Sequence, residues 1–155
     1  MATYQFIRTQ KIPTTVENLW SFVSSPHNLK EITPKSLNFK VLTPNLPKDM
    51  YAGMIITYKV SPLLGIPLSW CTEITHVSPL KYFVDEQREG PYTFWHHQHH
   101  LEPIEGGVLM TDIVHYRIPF GWLGQLMNTL LVKHELARIF SFRFNKMEAL
   151  FGKMA

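Results

Sequence analysis

From Gly121 onward apolar residues recur at helical spacing, whereas the segments before it alternate apolar and polar residues with a period of two. A strand sends successive side chains to opposite faces and a helix returns to the same face every 3.6 residues, so the switch separates a run of strands from one terminal helix. Leu123, Met127, Leu130, His134, Ala137, Phe140, Phe144, Met147 and Phe151 form a stripe, with Gln125, Lys133, Glu135, Arg138 and Lys146 mostly off it. That pattern predicts one amphipathic helix of about thirty residues. Ahead of it, strands are expected at 68–77, 81–88, 92–101 and 107–118. They are separated by Ser78-Pro79, Glu89-Gly90-Pro91 and Glu105-Gly106-Gly107, all suited to hairpin turns. Strands joined by short hairpins make an antiparallel sheet, which must bury one face, and the terminal helix is its natural cover. A long sheet curling around one helix leaves a partly hollow interior in which a ligand can sit.

The first part of the chain completes the set. Residues 3–12 read as a strand ended by Pro13, and Thr14 or Thr15 caps a helix carrying Val16, Leu19, Trp20 and Val23. Ser24-Ser25-Pro26 stops it before a second short helical segment through Leu29 and Ile32, and strands follow at 37–42 and 54–60. The expectation is an α+β chain: seven antiparallel strands, two short helices after the first, and one long C-terminal helix. With 155 residues it is read as a single domain, 1–155, large enough to bury roughly 70% of the surface of its unfolded chain. The loop 61–68, with Leu63, Leu64 and Ile66, is unusually apolar for a connection. It suits a lid, a self-association patch or a membrane-touching tip, of which the lid is preferred.

Composition narrows the function. The chain is 45% hydrophobic, 13% aromatic and 17% charged, as a globular domain with an aromatic-lined interior would be. The net charge of +3 is spread without a Lys/Arg run, which argues against a nucleic-acid partner. The lone cysteine, Cys71, excludes an internal disulfide and any Cys-x-x-Cys metal motif. The first residues lack the pattern of a signal peptide and no stretch is long enough for a membrane span, so a soluble, unprocessed, cytoplasmic protein is expected. No nucleophile elbow, phosphate loop or nucleotide fingerprint is present.

The chemistry concentrates in the run Trp95-His-His-Gln-His-His-Leu101, which holds four of the eight histidines. Alternation puts Trp95, His97, His99 and Leu101 on one face. Pairing Leu101 with Val108 would set His99 beside Met110, His97 beside Asp112 and Trp95 beside Val114. Parity then adds Trp70, Thr72, Ile74, His76, Phe83, Asp85 and Gln87 to that face. The opposite face, with Ser69, Glu73, Thr75, Glu86, Arg88, His96, Gln98, His100, His115 and Arg117, is far more charged and suits solvent. For His97 and Asp112 the plain reading is a satisfied polar pair in the sheet. The functional readings are a ligand anchor, in which the carboxylate fixes one imidazole nitrogen and leaves the other facing the interior, and acid–base catalysis. Asp85 and Gln87 are costly inward polar groups unless something satisfies them. Phe140 and Phe144 would floor the cavity. Candidate ligand-binding residues are thus Trp70, Thr72, Phe83, Asp85, Gln87, Trp95, His97, His99, Met110, Asp112, Tyr116, Phe140 and Phe144. Were the protein an enzyme, His97, Asp112, Asp85 and Tyr116 would be its candidate catalytic groups. His97 and His99 with Asp85 or Asp112 could surround zinc or iron, but without Cys support or helical His spacing no metal or other cofactor is expected.

The order of elements resembles the START-like superfamily, also called SRPBCC, which includes birch-pollen-allergen proteins, lipid-transfer domains and polyketide cyclases. The likeness spans nearly the whole chain and is closest to small bacterial ligand-binding members. It rests on Ile12-Pro-Thr-Thr-Val-Glu-Asn-Leu-Trp20, Ser25-Pro-His-Asn-Leu29, Ile32-Thr-Pro34, Phe39-Lys-Val-Leu-Thr-Pro44, Phe83-Val-Asp-Glu-Gln87, Gly90-Pro-Tyr92, Trp95-His-His-Gln-His99, Thr111-Asp112 and Tyr116-Arg-Ile-Pro119. The chain departs from the pattern in Leu101, where phenylalanine is common, and in its longer histidine run. The resemblance implies the helix-grip fold, a seven-stranded sheet gripping the terminal helix over a cavity. It also implies a hydrophobic small-molecule ligand: a lipid, quinone, isoprenoid or aromatic metabolite. The alternatives it leaves are a cyclase- or dehydratase-like enzyme using His97 and Asp112, and a quinone- or membrane-linked chaperone. Fold alone does not choose among them.

Overall fold

A computed structural model describes residues 2–62 and 64–154; Leu63 of the expected lid lies outside the described residues. Strand β1 (Tyr4–Ile12) leads into helix α1 (Val16–Val23), capped by Thr15, whose hydroxyl accepts from the Asn18 amide at 3.2 Å. Two single-turn 3₁₀ helices, Pro26–Asn28 and Lys35–Leu37, precede β2 (Lys40–Val41), β3 (Met54–Val60), β4 (Leu68–Ser78), β5 (Tyr82–Glu89), β6 (Phe94–Ile104) and β7 (Gly107–Arg117). The chain ends in α2 (Gly121–Met127), a π-helical turn (Asn128–Val132) and α3 (Lys133–Phe151). The seven strands form one antiparallel sheet in the order β1-β7-β6-β5-β4-β3-β2. This is the helix-grip architecture. No helix among the described residues is long and apolar enough to cross a membrane.

Three local features differ from expectation. The β6–β7 hairpin pairs Leu101 with Met110, His99 with Asp112, His97 with Val114 and Trp95 with Tyr116, two residues away from the expected register. The strands continue to Ile104 and Gly107, and the chain reverses at Glu105-Gly106, with Gly106 at φ 78° in the left-handed region that glycine tolerates. An even slip preserves which side chains share a face. In β4 the register shifts between Ile74 and His76, so His76 pairs with Val84 and is exposed, while Val77 pairs with Phe83 and takes the inward place expected for His76. A bulge inserts one residue and inverts parity beyond it. In the helix, the π turn resets the phase. The buried positions are Gly124, Asn128, Val132, Leu136, Phe140 and Met147, while Leu123, Leu130, His134 and Ala137 are exposed.

The helix does not lie centrally over the sheet. Val132, Leu136 and Phe140 pack with Val114, Tyr116 and Ile118, and Phe6 of β1 meets Phe140 with ring centroids 4.9 Å apart. Arg8, expected in solvent, points inward on this edge strand and places its guanidinium 5.0 Å from the Phe144 ring centroid. Helix α1 covers the other side through Trp20 and Val23, which pack on Met50, Met54, Ile56, Ile74 and Phe83. Between these packed regions lies a cavity of about 580 Å³.

Candidate functional site

The cavity wall is built by the inward positions of β3 to β6, and most of what faces it is apolar: Ile56, Val60, Trp70, Ile74, Phe83 and Trp95 from the sheet, Leu136, Ile139 and Phe140 from α3. Aromatic rings interlock along one side. Trp70 stacks on Tyr58 at 6.0 Å and meets Trp95 edge-on at 5.3 Å, while Tyr92 lies 5.0 Å from Trp95. Such pairs hold one another's rotamers and so fix the shape of the wall. Leu64, Ile66 and Phe120 line the cavity as well, yet all three are more than half exposed, which places them at its mouth.

One patch of the wall is polar. Asp85 is the direct cross-strand partner of His97, and His99 that of Asp112, so four ionisable side chains from β5, β6 and β7 form a square. His97 Nε2 donates to Asp112 Oδ1 at 2.8 Å and its Nδ1 lies 3.4 Å from Asp85 Oδ2. His99 Nε2 donates to Asp85 Oδ2 at 2.6 Å, and its Nδ1 lies 3.1 Å from Asp112 Oδ1. Arg143 reaches Asp112 Oδ1 from α3 at 3.5 Å, and Trp95 Nε1 approaches Asp85 Oδ1 at 3.4 Å. Phe83 stacks on the His99 ring at 4.1 Å.

Burial alone would raise both carboxyls, but the imidazoles and the Arg143 guanidinium outweigh it, and Asp85 and Asp112 are held below the usual carboxylate range, Asp112 far below. The two imidazoles move apart. Burial and the neighbouring charge of His99 push His97 down, whereas for His99 the bonds to Asp112 and Asp85 overcome burial and push it up. The two imidazoles therefore differ in tendency, His97 favouring its neutral form and His99 its charged form, with the Arg143 guanidinium beside Asp112.

Of the residues singled out from sequence, Trp70, Thr72, Phe83, Asp85, Trp95, His97, His99, Met110 and Phe140 line the cavity. Four do not. Gln87 binds the Tyr92 backbone twice, at 2.6 and 3.1 Å, and so braces the Gly90-Pro91 turn. Asp112 stands behind the imidazoles. Tyr116 donates its hydroxyl to Asn128 Oδ1 at 2.8 Å, pinning β7 to the π turn, which removes it as a candidate acid. Phe144 faces Arg8. Sequence reasoning missed Arg143, although a cation three residues beyond Phe140 and four before Met147 falls on the buried stripe and was its available signal. The Arg143 Nε and the Trp70 Nε1, both buried on cavity-lining residues, have no acceptor among the described residues.

No family model matches the chain, and no curated protein does. Solved structures do. Protein CV1439 from Chromobacterium violaceum superposes with a TM-score of 0.72 over 97% of this chain and 99% of its own, at 14% identity. Ginseng major latex-like protein 151 from Panax ginseng gives 0.70 over 96% and 97%, at 13% identity. Protein Ms6760 from Mycobacterium smegmatis gives 0.67 over 94% and 89%, at 19% identity. At these identities the likeness establishes the fold, the helix grip, and leaves chemistry to the site.

Proposed function

We propose that this protein binds, and carries, a hydrophobic small molecule of the lipid, quinone, isoprenoid or aromatic-metabolite class in the chamber between sheet and C-terminal helix. The observation that supports this most directly is the chamber itself. Its volume of about 580 Å³ falls among ligand sites, its walls are mostly aliphatic and aromatic, and Asp85, His97 and His99 form a polar patch in them. Apolar burial supplies affinity and the polar patch supplies orientation. The unpartnered donors on the cavity-lining residues Trp70 and Arg143 favour a ligand whose polar end accepts hydrogen bonds, such as a carbonyl or carboxylate. The apolar rim of Leu64, Ile66 and Phe120 gives such a molecule an entry that need not cross a charged surface.

Native mass spectrometry of gently purified protein, followed by extraction of any bound mass, tests the proposal directly. A titration with N-phenyl-1-naphthylamine adds a second test, because Trp70 and Trp95 line the chamber and would transfer excitation to the bound dye. Ile139→Trp, at a half-buried lining position, is expected to weaken dye binding at least tenfold. Dye that binds the variant as well as the parent, or that never shows energy transfer, would refute the reading.

A second reading rests on one observation: His97 is kept neutral while Asp112 holds one of its nitrogens, the arrangement of a general base. It supports proton abstraction beside a carbonyl. On that reading His97→Ala abolishes turnover of a bound carbonyl compound while leaving its binding intact; unchanged turnover would dismiss it.

A further inference from the structure

Asp112 Oδ1 faces two imidazole nitrogens at once, Nε2 of His97 at 2.8 Å and Nδ1 of His99 at 3.1 Å. Without a metal, His99 Nε2 keeps its hydrogen toward Asp85; where a cation displaces that proton, Asp112 retains the hydrogens of His97 Nε2 and His99 Nδ1 and leaves the opposite nitrogens, Nδ1 of His97 and Nε2 of His99, as donors. Those two nitrogens converge with Asp85 Oδ2, at 3.4 and 2.6 Å from it, and all three donor atoms lie within 4.8 Å of one another. Three donor atoms gathered this closely repel unless a cation sits among them. A single proton between His99 and Asp85 can serve; a metal ion serves all three.

We propose that Asp85, His97 and His99 form a mononuclear site for a divalent first-row transition ion, zinc or ferrous iron, with Asp112 as the outer carboxylate that orients both imidazoles. This stands whether or not the chamber carries an apolar ligand. Metal–nitrogen and metal–oxygen bonds of about 2.0–2.1 Å at a tetrahedral angle set donor atoms about 3.4 Å apart. The His97–Asp85 pair already has that separation, and the His99–Asp85 pair reaches it by opening less than an ångström. Two imidazoles and a carboxylate are a borderline donor set that suits these ions better than calcium or magnesium, which take oxygen ligands. The outer contacts a metal site requires are in place: Asp112 for the imidazoles, Arg143 for Asp112, and Trp95 Nε1 for the second Asp85 oxygen. Asp85, His97 and His99 all line the chamber while Asp112 does not, so the coordination position left over opens toward whatever the chamber holds. Three protein ligands with one open position is the arrangement of a reactive metal rather than a structural one. The lack of helical His spacing and of Cys support argues against a metal from sequence alone, but alternation along a strand puts His97 and His99 on one face as a helical turn would.

The test uses the full chain, stripped with chelator and titrated with Co²⁺ and Zn²⁺. One Co²⁺ per chain with strong visible d–d absorption, displaced by Zn²⁺, is the expected result. The absorption should vanish in His99→Ala and in Asp85→Ala, and affinity should fall about 10–100-fold in Asp112→Asn. His96→Ala with His100→Ala, on the opposite face of the same strand, should change nothing. Where a variant fails to fold by circular dichroism, X-ray absorption of the zinc-loaded parent gives the answer alone: two imidazoles with carboxylate oxygen support the site. An all-oxygen shell, binding that survives His99→Ala, or binding lost with His96 and His100 would overturn it.

Discussion

Asp112→Ala removes the carboxylate on which three other charged or chargeable groups converge. Asp112 is 2% exposed, and the side chains it contacts, His97, His99 and Arg143, are anchored on β6 and α3, so none can swing into solvent when it is gone. Breaking a buried ionic cluster from one side costs about 3–5 kcal/mol, because the cost is that of the orphaned cation as well as the lost contacts. A domain of this length is stable by about 5–15 kcal/mol. Each kcal/mol moves the melting temperature of a domain this size by about 2–4 °C, so a fall of about 6–20 °C is expected. Thermal unfolding at neutral pH, followed by circular dichroism, measures that fall, and urea unfolding followed by tryptophan fluorescence measures the loss in free energy. The comparison is Glu135→Ala, which breaks the exposed pair with Arg138 at 2.9 Å and should cost under about 1 kcal/mol. Adding Arg143→Met to Asp112→Ala should recover part of the loss, since the stranded guanidinium is then removed. Losses from Asp112→Ala no larger than those from Glu135→Ala, or strictly additive effects with Arg143→Met, would refute the account of the square as a mutually dependent unit.

Burial raises the phenols of Tyr58, Tyr92 and Tyr116 above the ordinary value of 10.0, so below that value their neutral form adds nothing pH-dependent, and above it the unfolded chain ionises while the folded one does not. Stability should therefore drain as pH rises beyond 10, and the ultraviolet signal of these three phenolates should emerge together with the unfolding transition; a signal preceding it would contradict their burial. Gly107→Ala would drive a methyl group into the Ile12 carbonyl oxygen, and a loss of about 1–3 kcal/mol is expected by thermal melting, with an unchanged melting point counting against the tight β1–β7 end. Trp122 is 73% exposed, so Trp122→Gln should alter stability by less than about 0.5 kcal/mol, and a larger fall would show that its ring is packed.

The face of the sheet was legible because the period of a strand is two, and any even error leaves it intact. The hairpin register was wrong by two residues, yet Asp112 still meets His97, now diagonally, and Asp85 meets both imidazoles. The bulge beside Thr75 was illegible for the same reason: it changes parity without altering composition, so His76 was assigned inward although it lies outside. The helix was legible as one apolar run, but the π turn added an offset that periodicity at 3.6 cannot register, and so Leu123, Leu130, His134 and Ala137 were assigned to a buried stripe that runs through Gly124, Asn128, Val132 and Leu136. Arg143 escaped because a charge at a stripe position reads as an error in the pattern until its partner on another strand is known.

The inward turn of Arg8 bears on how the protein behaves among its own copies. β1 is nine residues long and forms one open margin of the sheet, with Ile7 outside and Phe6 inside. An open margin of that length invites strand addition from a neighbouring molecule, and a cation tucked beneath it makes the added strand bury a charge. Arg8→Val would remove that deterrent and extend the apolar run of Tyr4 and Phe6 along the margin, which favours edge-to-edge addition.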